Sequence, residues 1–236
     1  MKSEKGRRAI SLTVYLLLVP ACVALGATVF RDRAYIWISV CLAVLSCVPF
    51  FARFENRPDD TRRMAVLAAM TALSVLGRFL FYAVPHFKPV TAMVVICGIY
   101  LGAESGFLCG ALTAILSNIL FGQGPWTPWQ MFCMGIIGFL AGVLFRKGWL
   151  RRTRGSLCVF GVFSAIVIYG GIMNPASVLM WANTETLTWK MVLTYYVTGF
   201  PLDCVHAAAT AFFLWIAAEP MLEKLDRIKL KYGLME

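Results

Sequence analysis

Charge is scarce in this 236-residue sequence: Asp, Glu, Lys and Arg make up 14% of it, against about 25% in an average soluble domain. Acidic residues are scarcer than basic ones, 12 against 22, and there are only two histidines. Each shortage excludes something. With no His or Cys cluster at ligand spacing, the chain cannot assemble the donor set a bound metal needs. It has no phosphate-binding glycine loop, so any ATP drive must come from another polypeptide. There is no HExxH, no nucleophile elbow and no adjacent pair of intramembrane aspartates, and the chain does not read as an enzyme.

What is present is apolar. Hydrophobic residues are 60% of the chain, where about 45–50% is usual, and they fall in eight runs: Ala9 to Phe30, Ala34 to Ala52, Met64 to Val84, Pro89 to Ala103, Gly106 to Phe121, Met131 to Phe145, Ser156 to Met173 and Met191 to Ala218. This predicts an all-α integral membrane protein. The first run follows Lys2, Lys5, Arg7 and Arg8 but is too long for a signal-peptide core and lacks a small-x-small cleavage site, so it is read as retained. Six of the eight cysteines (22, 41, 97, 109, 158 and 204) sit inside apolar runs and read as small buried hydrophobes, with Cys47 and Cys133 little different. The net charge of +10 sits in short loops between these runs, which signals membrane topology and not nucleic acid.

That distribution also decides a doubtful boundary. Pro89 to Phe121 reads either as one long helix or as two joined near Gly102-Ala103-Glu104-Ser105-Gly106. Two helices give eight spans with both termini cytoplasmic, placing seventeen basic residues inside and four (Arg31, Arg33, Lys88, Lys190) outside. One helix would move Arg146 to Arg154 and every later basic residue outside, so the positive-inside rule predicts a turn at Glu104. Residues 1–56 then form a two-helix extension, 62–218 a six-helix domain, and 219–236 an amphipathic cytoplasmic tail, lying on the membrane or a partner.

The outer face receives the loops Pro85 to Pro89, Phe121 to Gln130 and Asn174 to Lys190. In the middle one, Gly122, Gly124, Pro125 and Pro128 forbid a continuous helix. Trp126 and Trp129 stand there beside Gln123, Thr127 and Gln130, as a binding rim or as an interfacial tryptophan belt. Gly98, Gly102, Gly106, Gly110 and Ala114 form a small-residue ladder that suits close internal helix packing. Ala65, Ala68, Ala69 and Ala72 form a second on the third helix, suited either to internal packing or to docking on another membrane protein. Arg78, Asp203 and His206 are charged or titratable groups within spans, where an unpaired charge costs about 2.5–3.5 kcal/mol on insertion scales. Asp203 and His206 share a helix face, and Arg78 could pair with Asp203 if their helices touch; a structural ion pair and a substrate or proton role both stay open.

The runs Pro85-His86-Phe87-Lys88-Pro89-Val90-Thr91-Ala92, Gly98-Ile99-Tyr100-Leu101-Gly102, Gly106 to Ala114, Ser117-Asn118 and Phe121-Gly122-Gln123-Gly124-Pro125-Trp126-Thr127-Pro128-Trp129-Gln130-Met131 resemble the substrate-binding S component of energy-coupling factor vitamin transporters. The likeness covers about Arg62 to Ala218. It implies a six-helix bundle that binds a vitamin-like ligand at its outer face in the cell membrane of a bacterium, docks on a transmembrane coupling subunit carrying two cytoplasmic ATPases, and topples to release its cargo. The family's alanine-rich docking motif looks matched by Ala65, Ala68, Ala69 and Ala72. Its substrate contacts map onto Asn118, Gln123, Trp126, Trp129, Asn174, Trp181 and Tyr195. The two extra N-terminal helices depart from the family pattern and put the usual toppling geometry in question. No cofactor is expected in this chain, with ATP used by partner subunits. Aromatics and amides with few outer charges suit a mostly neutral ring-containing ligand, with corrinoids among the candidates. The competing readings are a proton-coupled secondary transporter using Asp203 and His206, and a non-transport anchoring subunit.

Overall fold

In the computed structural model, the residues described are 4–29, helical positions scattered between 37 and 49, 60–181 and 188–232. Among them there is helix and no strand. Helix α1 runs through Glu4–Thr13, a π-helical turn at Val14–Leu18, and Val19–Thr28. The second expected span, Ala34 to Ala52, is only partly within the described residues. Six further helices follow: α2 (Asp60–Leu80), α3 (Val90–Leu101), α4 (Ala103–Phe121), α5 (Trp126–Arg146), α6 (Arg154–Phe163, a π-helical turn Ser164–Gly170, then Gly171–Trp181) and α7 (Trp189–Tyr232).

The break between α3 and α4 falls at Gly102, whose φ of 102° is a conformation that glycine adopts without the penalty a Cβ would bring. One residue therefore reverses the chain. Glu104, expected at the turn, instead lies buried in the first turn of α4 and accepts a hydrogen bond from Ser11 of α1 at 3.1 Å. A carboxylate is stable at a helix N-terminus, where unpaired backbone N–H groups concentrate.

With 12 residues, α3 spans about 18 Å, well short of a roughly 30 Å hydrocarbon core. Its shortness is tolerated because every residue from Val90 to Leu101 is buried, so protein and not lipid surrounds it. The glycine ladder makes that enclosure possible. A Cβ on Gly98 or Gly106 would lie 2.2 or 2.4 Å from the carbonyl oxygen of Gly138, and one on Gly138 would lie 2.2 Å from that of Gly106. Backbones of α3, α4 and α5 thus touch, as packing in lipid favours.

Helices α4 and α5 are longer than the apolar runs suggested, because polar flanks join them. Residues 126–130 are the first turn and a half of α5 and not loop; prolines are accepted there because the first N–H groups of a helix have no internal partner. The turn itself is residues 122–125. Similarly, α6 continues to Trp181, which puts Asn174 in a helix.

The N-terminal extension covers α4 and α5. Tyr15 is fully buried, stacked on Phe107 at 3.9 Å and edge-on to Phe139 at 5.4 Å, with Val19, Ile38 and Leu42 in the same cluster. At the other end of the chain, the segment from Glu219 is no separate tail. It continues α7, with Leu222 and Leu225 buried in the main core, and the Tyr100 hydroxyl donates to the Leu225 carbonyl at 2.6 Å.

Candidate ligand-binding site

The ends of α2, α4 and α6 and the starts of α3, α5 and α7 meet at one end of the bundle. A cavity of about 210 Å³ lies there, lined by Arg78, His86, Lys88, Val90, Ala114, Ser117, Gln130, Met134, Tyr169 and His206. Six helices bring these residues together with the turn 81–89, which is why no sequence window announces them.

Asn118, buried on α4, organises the wall. Its amide nitrogen donates to Thr127 Oγ1 at 3.0 Å and Gln130 Oε1 at 2.8 Å, and its oxygen accepts from Arg78 Nη1 at 2.8 Å. Arg78 also donates to Ser117 Oγ, and its guanidinium lies 4.7 Å from the centre of the Phe121 ring. Gln130 in turn donates to the Tyr169 hydroxyl at 3.4 Å. Tyr169 sits on the π-helical turn of α6, a distortion often found at functional sites, and meets the His206 ring edge-on at 4.8 Å. His206 Nε2 lies 2.7 Å from Thr91 Oγ1.

In the turn 81–89, Lys88 Nζ donates to the Phe81 and Val84 carbonyls at 3.1 and 2.9 Å. Loss of water, and then the Arg78 charge, lower its pKa from the ordinary lysine value. His86, at a φ of 56°, is likewise held below the usual histidine range by desolvation; the charge of Asp203 opposes this and that of Lys88 reinforces it.

The ion pair expected between Arg78 and Asp203 does not form. Helix α2 packs on α3 and α4, whereas α7 packs on α3, α6 and its π-helical turn, so the two residues meet different neighbours. Asp203 accepts from Asn174 Nδ2 at 2.8 Å, in a space left by Gly170, where a Cβ would lie 2.4 Å from the carboxylate. Asp203 and His206 share a helix yet bind separate neutral partners.

None of the seven residues carried over from the resemblance is in the cavity lining. Asn118 stands immediately behind it, holding Arg78 and Gln130. Gln123 donates to the Ile115 carbonyl at 2.9 Å and fastens the 122–125 turn to α4. Trp126 and Trp181 stack on each other, ring centres 6.2 Å apart. Trp129 packs against the N-terminal cluster, Asn174 serves Asp203, and Tyr195 is half-buried on α7. The lining residues Ser117, Gln130, His86 and Lys88 lie within the motif runs, but Tyr169 carried no signal: it stands in an apolar run and reaches the cavity only through the π-helical turn.

The four exposed alanines are placed differently. Ala65, Ala68, Ala69 and Ala72 lie on the open face of α2, while Leu67, Met70, Thr71 and Ser74 form its buried face.

Among the described residues, five helices long and apolar enough to cross a membrane, with shorter apolar ones beside them, define a multi-pass membrane protein with a polar cavity at one end of its bundle. A family model described as "ECF-type riboflavin transporter, S component" matches residues 59–223, and the chain belongs to that family. It is thus a substrate-binding membrane subunit of an energy-coupling factor transporter and not an enzyme, and membership implies association with a membrane T component and ATPases. Among curated proteins it is similar to a UPF0397 protein of Vibrio atlanticus (strain LGP32), 24% identical over 125 residues that make up 50% of this chain and 68% of the relative. A UPF0397 protein of Aliivibrio fischeri (strain MJ11) is 21% identical over 177 residues, 72% of this chain and 93% of the relative. No solved structure matches.

Proposed function

We propose that the chain captures a small ring-containing micronutrient in the Arg78–Gln130–Tyr169 cavity on the outer side of the cell membrane. It then delivers the ligand through a coupling subunit driven by two cytoplasmic ATPases. The observation that carries this reading is the free alanine face of α2. The described residues of the N-terminal extension pack on α4 and α5, leaving an exposed strip where a partner helix can approach closely. Both termini are cytoplasmic in this reading, supported by the distribution of basic residues. The cavity, at about 210 Å³, is below the roughly 300–1,000 Å³ of typical drug-sized sites, which favours a compact ligand over a corrinoid. Riboflavin, from the family's description, is the first compound to test. A proton-coupled mechanism draws less support, because Asp203 and His206 form no shared relay.

Ala69→Trp tests the reading. The bulky ring should hold the coupling subunit away while the cavity, at the far end of α2, is undisturbed. The expected result is unchanged ligand affinity in the purified protein together with loss of co-purification and of ATP-dependent uptake. Joint loss of expression, thermal stability and binding would instead mark the strip as internal packing and overturn the reading.

A further inference from the structure

Among the described residues, the cavity is positively charged without a matching anion: Arg78 and Lys88 both line it, and no described acidic side chain does. Arg78 meets only neutral groups, namely Ser117, Asn118 and the Phe121 ring, and uses Nη1 for both hydrogen bonds. Its Nε and Nη2 bond to no described residue. Lys88 is held by two backbone carbonyls. The carboxylate nearest in influence is Asp203, which acts on His86 and is already engaged by Asn174. Arg78 and Lys88 against Asp203 leave an excess of one positive charge, with His86 as a further titratable group at the rim.

An unneutralised cation half-buried at the end of a membrane bundle is costly. A guanidinium with one edge free has the fork that matches a carboxylate or phosphate in two parallel bonds. Asn118 makes the arrangement rigid: its nitrogen is committed to Thr127 and Gln130, so its oxygen must face Arg78. The free edge is therefore preorganised, with no acceptor among the described residues to lose on binding.

We propose that the ligand carries an acidic group, a phosphate or a carboxylate, which Arg78 and Lys88 bind while the ring system lies toward Tyr169, Gln130 and Met134. This deepens the proposed function and rests on the cavity being the ligand site. It replaces the expectation of a mostly neutral ligand, which counted few charges in the outer loops but did not place Arg78 beside Lys88.

Flavin mononucleotide and riboflavin share a ring and differ by one phosphate, so their relative affinity for the detergent-purified full chain reads the inference directly, by flavin fluorescence or calorimetry. The mononucleotide should bind at least about tenfold more tightly, as expected for a charge-assisted pair. Arg78→Gln and Lys88→Gln should each remove most of that advantage, lowering mononucleotide affinity far more than riboflavin affinity, and Arg78→Lys should retain part of it. Lys88→Gln stands in should Arg78→Gln fail to fold, because Lys88 bonds only to carbonyls of an exposed turn. A mononucleotide that binds no better than riboflavin, including the case in which neither binds, overturns the inference. Ala114→Leu, which fills the cavity, separates the two levels. If flavin binding survives it, the cavity is not the ligand site and the underlying reading fails; if binding is lost but the phosphate confers no advantage, only the acidic-group inference fails.

Discussion

Asn118 shows how one side chain can be central to a site without lining it. Its carboxamide faces three partners at once, Arg78, Thr127 and Gln130, and it is 1% exposed. Burying an amide in this way is favourable only when its hydrogen bonds are made, and removing one member strands the others. Asn118→Ala should therefore cost about 1–3 kcal/mol of stability, read as a lower melting temperature in detergent, and should weaken ligand binding because Arg78 and Gln130 lose their anchor. A variant with native stability and native affinity would remove Asn118 from any role in shaping the cavity.

At the scale of helices, the decisive contacts are those where side chains are missing. Gly98, Gly106 and Gly138 let three backbones meet, and the enclosure of the short α3 depends on that approach. Gly138→Val would place carbon within 2.2 Å of the Gly106 carbonyl oxygen and 2.8 Å of the Val94 side chain. Overpacking of this kind typically costs about 1–3 kcal/mol; with backbone as the obstacle, the expected outcome is the upper end or failure to yield monodisperse protein on size exclusion. Gly155, in the first turn of α6, is the control: a Cβ there meets nothing within 4 Å, and Gly155→Ala should be neutral or stabilising by a few tenths of a kcal/mol to about 1. Equal sensitivity at the two positions would refute the close-approach account of the ladder.

The whole molecule has two working ends and two working faces. The cavity lies among six helices beside the turn 81–89, the alanine strip lies on the opposite half of α2, and the described part of the N-terminal extension is kept to the α4–α5 side. Helix α7 joins the ends: its 44 residues amount to about 66 Å of helix if straight, beyond the 40–45 Å of a whole bilayer, so its last turns emerge and are fastened by Tyr100 and Leu225. The proposed orientation makes a simple labelling prediction. In intact cells, a cysteine at Lys190 should react with an impermeant thiol reagent above the background of the native cysteines, and one at Arg151 should react only after permeabilisation. The reverse pattern would place the cavity on the cytoplasmic side and reject capture from outside.

The sequence by itself determined the class of molecule and its punctuation. Long apolar runs leave few alternatives to membrane helices, the basic loops favour a division of Pro89 to Phe121, and the alanines of α2 are legible as a strip because a helix brings residues three and four apart onto one face. The turn at Gly102 in place of Glu104, and the helical state of residues 126–130, are local matters of which polar residues a helix end can absorb. Tertiary structure alone decided the site. Whether Arg78 meets Asp203 or Asn118 depends on which helices are neighbours, and Trp129 packs against the cluster that the N-terminal extension builds on α4 and α5. Tyr169 reaches the cavity because seven residues of α6 adopt a wider helical turn. Such choices are made by contacts between residues tens of positions apart, and in lipid they follow backbone approach and polar pairing instead of hydrophobic pattern, which is why periodicity locates the helices but not the pocket between them.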